Sequence, residues 1–370
     1  MEVIFRYLFQ RLTIILKNPF FLKKASLLLI ILALPINNLA STLSRGNKST
    51  EKSCRWKIIS GEQKINFSAV QFLNSRMAFG HDNNCFFATQ DGGLHWQKHY
   101  CVMTLKKGLD KPLIKNKLGN FYFLSIRKGW MLEKDNYLLY TENGGITWKK
   151  RKFGNHIDLK KVYFFNEENG WLVGNQVLPN NSPDVRGVIY VTVDGGKNWS
   201  ELYTGISVNY RWKFQDIWVS SIKDIWVLGD FLIHSTDGGK TWQSSSIDSS
   251  TLYDLSNLSI QFTSDIGWIR RWPAKNYLFS NDGGKSWVAH QPPTHLGFMD
   301  SLIYINSLEG WATAGNIYHT FDGGKTWKFE FGDETYMGNE PSYYVLHQYL
   351  KSENLLIATS RTKIIFCVLY

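Results

Sequence analysis

Short apolar runs separated by polar turns recur along most of this chain. Residues 161–166 (KVYFFN) form one such run, and Glu-Glu-Asn separates it from the next run at residues 170–174 (GWLVG). Runs of this length that are rich in β-branched and aromatic residues predict strands. The pattern therefore predicts an all-β protein made of short strands.

A single turn phrase is repeated six times. It reads Ser or Thr, any residue, Asp or Asn, Gly-Gly, two residues and Trp, and successive copies lie 40 to 52 residues apart. This period is typical of one four-stranded propeller blade. The six tryptophans of the phrase are Trp96, Trp148, Trp199, Trp242, Trp287 and Trp327.

The residue types of the phrase indicate a structural role. Its glycines allow a positive φ in a hairpin turn, its acid can accept backbone N–H bonds, and its Trp offers an apolar face to the neighbouring blade. We therefore interpret these tryptophans and the acid or amide of each turn as structural. The turn residues are Asp91, Asn143, Asp194, Asp237, Asp282 and Asp322.

A second signature, Gly-Trp or Ile-Trp, precedes each of the last five turn phrases, as at Gly170 and Trp171. Each repeat then reads as four strands. Three more strand-like runs follow the sixth phrase, and residues 54–59 (CRWKII) have the Trp-led character of a missing fourth strand. We predict a seven-bladed propeller over residues 54–370, its last blade closed by this N-terminal strand. Six blades are the alternative if the C-terminal run packs elsewhere.

The first forty residues differ from the rest. Residues 1–24 carry five basic residues and one acid, and a twelve-residue apolar run follows at residues 25–36. A run of this length fits the core of a signal peptide better than a membrane span. We predict a signal peptide or an uncleaved membrane anchor at residues 1–40, and a linker at 41–53.

The four cysteines predict two disulfides in an exported chain. Cys85 and Cys101 flank the first Asp-Gly-Gly turn almost symmetrically, so they face each other across a hairpin. Cys54 and Cys367 would join the two strands that close the ring, which could stabilise the fold by on the order of 4 kcal/mol. The alternative is four reduced, buried thiols.

Basic residues concentrate near the second repeat, in a chain with a net charge of +11. This charge suits an acidic protein or an anionic membrane surface, and the alternative is a solvated edge strand protected by lysines. The chain carries no recognised nucleic-acid-binding motif, so we expect no nucleic-acid partner. The candidate partner-binding residues are Lys149, Lys150, Arg151, Lys152, Lys160 and Lys161.

Motifs for catalysis are missing from the sequence. The cysteines and histidines have no metal-binding spacing, and every Gly-Gly pair lies in a hairpin turn. A glycosidase would need two carboxylates brought together across the channel, and Asp216 and Asp300 are among the acids available. We predict no catalytic, cofactor-binding or metal-binding residue.

The turn phrase resembles the Asp-box of sialidases. With the Gly-Trp strands, the pattern more closely resembles the propeller-type photosystem II stability and assembly factors of cyanobacteria and chloroplasts. That resemblance implies a non-enzymatic chaperone on the lumenal side of the thylakoid that binds a reaction-centre precursor and early intermediates partly through a basic patch. We expect the chain to be a monomer. The patch here is rich in lysine, whereas the family patch is an arginine patch.

Two other functions stay open. An exported glycoside hydrolase or carbohydrate-binding propeller would share the Asp-boxes, but the Arg-Ile-Pro motif of sialidases does not occur, and the nearest string is RRWP at residues 270–273. A cell-surface adhesion or receptor-like module is the other alternative. In each case we expect an exported protein, in a periplasm, a thylakoid lumen or the extracellular space.

Overall fold

The computed structural model describes residues 54–59, 65–102, 118–154, 156–178, 185–202, 213–245, 247, 258–271, 276–291, 299–332, 344–360 and 363–369. The predicted signal peptide or anchor at residues 1–40 and the predicted linker at 41–53 lie outside these residues. Within the described ranges, no helix has the length and apolar character needed to cross a membrane.

The described residues form 28 strands in seven four-stranded antiparallel sheets. In chain order the strands are β1 (Cys54–Ile59), β2 (Ala69–Phe72), β3 (Ala78–His81), β4 (Cys85–Thr89), β5 (Gln97–Cys101), β6 (Leu118–Phe123), β7 (Gly129–Glu133), β8 (Tyr137–Thr141), β9 (Lys149–Lys152), β10 (Ile157–Phe164), β11 (Gly170–Val177), β12 (Val185–Thr192), β13 (Ser200–Leu202), β14 (Phe214–Val219), β15 (Ile225–Gly229), β16 (Leu232–Ser235), β17 (Gln243–Ser245), β18 (Leu258–Thr263), β19 (Ile266–Arg271), β20 (Tyr277–Ser280), β21 (Val288–His290), β22 (Ser301–Tyr304), β23 (Gly310–Ala314), β24 (Asn316–Thr320), β25 (Lys328–Phe331), β26 (Val345–Leu350), β27 (Leu355–Thr359) and β28 (Ile364–Leu369).

Six blades use four consecutive strands, beginning with β2 to β5 and ending with β22 to β25. The seventh has the order β26, β27, β28, β1, so the first strand of the chain completes the last blade. In this pairing Trp56 lies opposite Cys367. The prediction of an all-β, seven-bladed propeller closed by the N-terminal strand is confirmed, and the six-bladed alternative is wrong.

The Asp-box turn of blade 4 shows how the repeated phrase folds. The Ser235 hydroxyl donates to Asp237 Oδ1 (2.8 Å) and accepts the N–H of Gly239 (2.7 Å), whose φ is +88°. Asp237 Oδ1 also accepts the N–H of Thr241 (2.9 Å), and Trp242 Nε1 donates to the Gly239 carbonyl (3.1 Å). The hydroxyl and carboxylate thus satisfy the polar groups of a tight turn. The same pattern of hydrogen bonds recurs in the other five turns, with the amide of Asn143 in place of the carboxylate in blade 2.

The tryptophan of each phrase packs toward the preceding blade. Trp148 of blade 2 meets Phe86 of blade 1 edge-on, with ring centroids 5.4 Å apart. Trp242 of blade 4 joins a buried cluster that contains Trp171 and Ile189 of blade 3. These contacts fill the space between neighbouring sheets, because large aromatic faces bury much apolar area at once.

Side chains also connect neighbouring blades at their first strands. Each first strand has a ladder partner on one side only, and a side chain from an adjacent blade bonds to its backbone on the other side. From blade 1 to blade 7 and back, the bridges join Gln71 to Phe123, Asn120 to Val162, Asn175 to Phe214, Asp216 to Ile260, Thr263 to Tyr304, Ser301 to Leu346, and Gln348 to Phe72.

Two disulfides are present. Cys85 lies opposite Cys101 in the hairpin of β4 and β5, with Cα atoms 4.1 Å apart. Cys54 joins Cys367 across the closing pair β1 and β28, with Cα atoms 5.6 Å apart. The first bond ties one hairpin, whereas the second joins strands from opposite ends of the described chain.

Replacing Asn175 with Ala is expected to destabilise the ring by about 2–4 kcal/mol, because it leaves the N–H and the carbonyl of Phe214 without their buried partner. Urea denaturation followed by tryptophan fluorescence measures the effect. The exposed Asn281 provides a matched control, and Asn281→Ala should change the stability by less than about 0.5 kcal/mol. Equal losses in both variants would contradict a structural role for the bridge.

Acid should weaken the Asp-box turns. Hydrogen bonds donated by the residue four positions further on lower the pKa of Asp194, Asp237 and Asp282 from 3.8 to about 2. Because the folded-state pKa is depressed, this stabilisation is present above pH 3.8 and is lost as the pH falls toward about 2. Asn143 holds the same turn in blade 2 without titrating.

We therefore expect the triple variant Asp194→Asn, Asp237→Asn, Asp282→Asn to lose less stability than the parent protein between pH 4 and pH 2. Urea denaturation at several pH values in this window measures both slopes. Parallel slopes would show that these three carboxylates do not govern the acid sensitivity.

Candidate functional site

The strand β9 is the outer edge of blade 2, and all four of its residues, Lys149 to Lys152, are exposed. Its outward backbone groups have no ladder partner within the sheet. Lysines on such an edge discourage pairing with other strands, and they also create a local positive field.

Lys150 is the most constrained of the four cations. Its Nζ reaches across β8 to Glu133 Oε1 at 2.9 Å, and it also lies 3.9 Å from the ring centroid of Tyr137. The Glu133 side chain is 4% exposed. Because a buried carboxylate needs a nearby cation, Lys150 is part of the fold as well as of the surface.

The other three cations are more available. Lys149 pairs with the exposed Glu142 at 2.9 Å, and Arg151 donates to the carbonyl of Lys197 in the next blade at 2.6 Å. Lys152 lies 5.8 Å from the ring centroid of Tyr137, and none of the described carboxylates forms an ion pair with it. Lys152 and Lys149 therefore present the charge that a partner can reach.

The structure places Lys160 and Lys161 elsewhere, on β10, the first strand of blade 3. Lys161 pairs at 3.1 Å with Asp216 of blade 4, whose other carboxylate oxygen accepts the N–H of Ile260 in blade 5. Lys160 pairs with Asp158 on its own strand at 2.7 Å. The six candidate residues are thus divided between an outer edge and a first strand, and Asp216 links three blades.

A groove of about 680 Å³ runs beside β9, between blades 2 and 3. Lys149, Lys150 and Arg151 line one side, and the Asp-box turn of blade 3 lines the other. Lys128 and Glu167 form an ion pair across the same seam. The remaining lining residues are Leu138, Tyr140, Glu142, Glu168, Val193, Asp194, Gly195, Gly196 and Lys197.

Sequence reasoning did not find the acidic residues of this site. Glu133 ends a Gly-Trp strand, and Glu142 lies inside an Asp-box phrase, so both look like ordinary strand and turn residues. The only sequence signal for Glu133 is that a carboxylate ends an otherwise apolar strand. The groove carries both charge signs, because Glu142 lies on the β9 side and the acids Glu167, Glu168 and Asp194 lie on the blade 3 side. An acidic partner would therefore meet cations on β9 and acids opposite them.

The seven-bladed ring, with an Asp-box turn in six of its blades and a cationic edge strand on one of them, belongs to the class of β-propellers built from Asp-box repeats. Residues 201–340 match the family model described as photosynthesis system II assembly factor YCF48. The chain is also 25% identical over 328 residues to the photosystem II assembly lipoprotein Ycf48 of Synechococcus sp. (strain CC9902), covering 83% of this chain and 87% of that protein. The resemblance to the propeller-type photosystem II assembly factors is confirmed.

Solved structures share the fold. A structure described as YCF48 bound to D1 peptide has a TM-score of 0.58 at 18% identity, covering 85% of this chain and 95% of that chain. YCF48 from Cyanidioschyzon merolae has a TM-score of 0.55 at 16% identity, covering 84% and 98%. At these identities the likeness concerns the fold.

Removing Lys150 should cost more stability than removing Lys149. Lys150→Ala leaves the buried Glu133 without its cation, so we expect a loss of about 1–3 kcal/mol. Lys149→Ala breaks an exposed pair and should cost less than about 0.5 kcal/mol. Urea denaturation of the two variants tests the difference, and equal losses would show that Lys150 is only a surface cation.

Proposed function

We propose that this chain is a non-enzymatic, exported propeller that binds a protein client during assembly of a membrane complex such as photosystem II. The observation that carries the proposal is the exposed cationic edge strand β9 beside an open groove. A protein segment rich in carboxylates fits this surface, because Lys149 and Lys152 attract it while the facing acids restrict its register.

The relatives support a role in assembly. The Synechococcus relative is named as a photosystem II assembly lipoprotein, and one solved YCF48 contains a bound D1 peptide. We extend both properties to this chain: a client from photosystem II, such as D1 or its precursor, and attachment to a membrane through the N-terminus. Two disulfides support an oxidising compartment, and the thylakoid lumen or a periplasm fits all of these properties.

The contacts of Asp216 favour a structural role for this acid rather than a role in hydrolysis. Asp216 is one of the carboxylates that a channel glycosidase could have used. It is 4% exposed, and its two oxygens contact Lys161 and the backbone N–H groups of Ile217 and Ile260. Because this carboxylate is buried between blades and contacts three donors, we assign it a structural role.

A pull-down from solubilised photosynthetic membranes tests the client surface. The variant Lys149→Glu with Lys152→Glu reverses two reachable charges and leaves the Lys150 pair with Glu133 intact. We expect it to recover about tenfold less D1 or D1 precursor than the parent protein. The loss should shrink at high salt, because screening weakens exposed charges.

The matched control is Lys240→Glu with Lys325→Glu, which reverses two exposed lysines in the Asp-box turns of blades 4 and 6. It should recover the client normally. Equal losses in both variants would indicate a general charge effect. If the parent protein recovers no photosystem II subunit, the proposed function is wrong, whatever the variants do.

A further inference from the structure

Three potential metal ligands meet at the seam between blades 6 and 7. Glu330 lies on the outer strand β25 of blade 6, and Cys54 and Cys367 lie on β1 and β28 of blade 7. Their ligand atoms are all within 4.8 Å of one another. Cys367 is fully buried, whereas Cys54 and Glu330 are half-buried, so the group is open to solvent on one side.

The carboxylate of this group is held in place by its own hydrogen bonds. Glu330 Oε2 accepts Trp311 Nε1 at 2.7 Å and lies 3.2 Å from Nδ1 of His319. The sulfur atoms lie in an apolar cluster that includes Trp56 and Phe331. A carboxylate oriented by hydrogen bonds beside two sulfur atoms is an arrangement that metal sites use, because outer partners fix the ligand.

Ring closure brings the two cysteines together before a disulfide can join them. Cys54 and Cys367 are 313 residues apart in sequence, and their strands pair only when blade 7 is complete. A closed ring in which this disulfide has not formed, or has been reduced, holds both thiols beside Glu330. In that state the seam offers two sulfur donors and one oxygen donor.

We propose that this reduced, closed ring binds one zinc ion, or a similar thiophilic divalent cation, through Cys54, Cys367 and Glu330. Zinc accepts three protein ligands with water as the fourth, and its bonds of about 2.0–2.3 Å set the ligand atoms roughly 3.5–4 Å apart. Binding releases the two thiol protons to solvent. Oxidation to the disulfide removes two electrons to a thiol-disulfide oxidant and frees the cation, so metal and disulfide are alternatives.

The other cysteine pair is a natural control. Cys85 and Cys101 also face each other across two paired strands. Among the described residues, however, only the seam cysteines have a third potential ligand within reach. The seam site could not be seen in the sequence, because its three donors come from strands far apart in the chain.

The test uses the purified chain, reduced by a phosphine under anaerobic conditions and titrated with Zn²⁺ against a chromophoric chelator. The variant Cys85→Ser with Cys101→Ser keeps only the seam pair and should bind one zinc ion. Adding Glu330→Gln should weaken binding at least about tenfold. The variant Cys54→Ser with Cys367→Ser keeps only the hairpin pair and should bind at least as weakly, and the oxidised protein should bind none.

An affinity for zinc that is unchanged by Glu330→Gln would overturn the proposal, as would equal binding by the hairpin pair or by the oxidised protein. If the variant without the seam cysteines does not fold, Glu330→Gln in the chain with all four cysteines decides the question. Circular dichroism of each reduced variant shows that the ring is folded during titration.

Discussion

Hydrogen bonds from side chains to the backbone of an adjacent blade hold this ring together at its first strands. Each first strand has a ladder partner on one side only, so its other edge would leave buried N–H and C=O groups unsatisfied. Gln71 and Asn175 each satisfy both a donor and an acceptor of the neighbouring strand. The aromatic packing farther out depends on these bridges, because they set the spacing at which neighbouring sheets meet.

Closure of the ring makes the seventh blade different from the others. Its outer strand β1 comes from the opposite end of the described chain, and it is held by a six-residue ladder with β28 and by the Cys54–Cys367 bond. The first strand of the same blade, β26, is joined to blade 1 by the hydrogen bond between Gln348 and Phe72. Contacts between residues so distant in sequence form slowly, because the loop must close before they contribute. The Glu330 carboxylate and the two sulfur atoms of the seam between blades 6 and 7 lie beside this closing ladder.

The fold could be predicted because its determinants are local and repeated. The Asp-Gly-Gly turn, its hydroxyl and its Trp lie within eight residues, and the unpaired strand at Cys54 showed how the ring closes. The surface could be predicted only in part. The register of β10, the first strand of blade 3, shifts between Leu159 and Lys161. Lys161 forms an ion pair with Asp216 of blade 4. Glu133 meets Lys150 across an intervening strand. No spacing rule in the sequence encodes either contact.

The hydrogen bonds between turns make the two faces of the propeller unequal. In each of the first six blades, the Asp-box turn donates a backbone N–H to the turn between the first two strands, as Gly144 does to Arg127. All six Asp-box turns have the same length, whereas the links between blades, which leave the opposite face, differ severalfold in length. Insertions at the links between blades would therefore leave the hydrogen-bonded turns on the other face unchanged. Such a ring can acquire new recognition loops on one face while the other preserves its architecture.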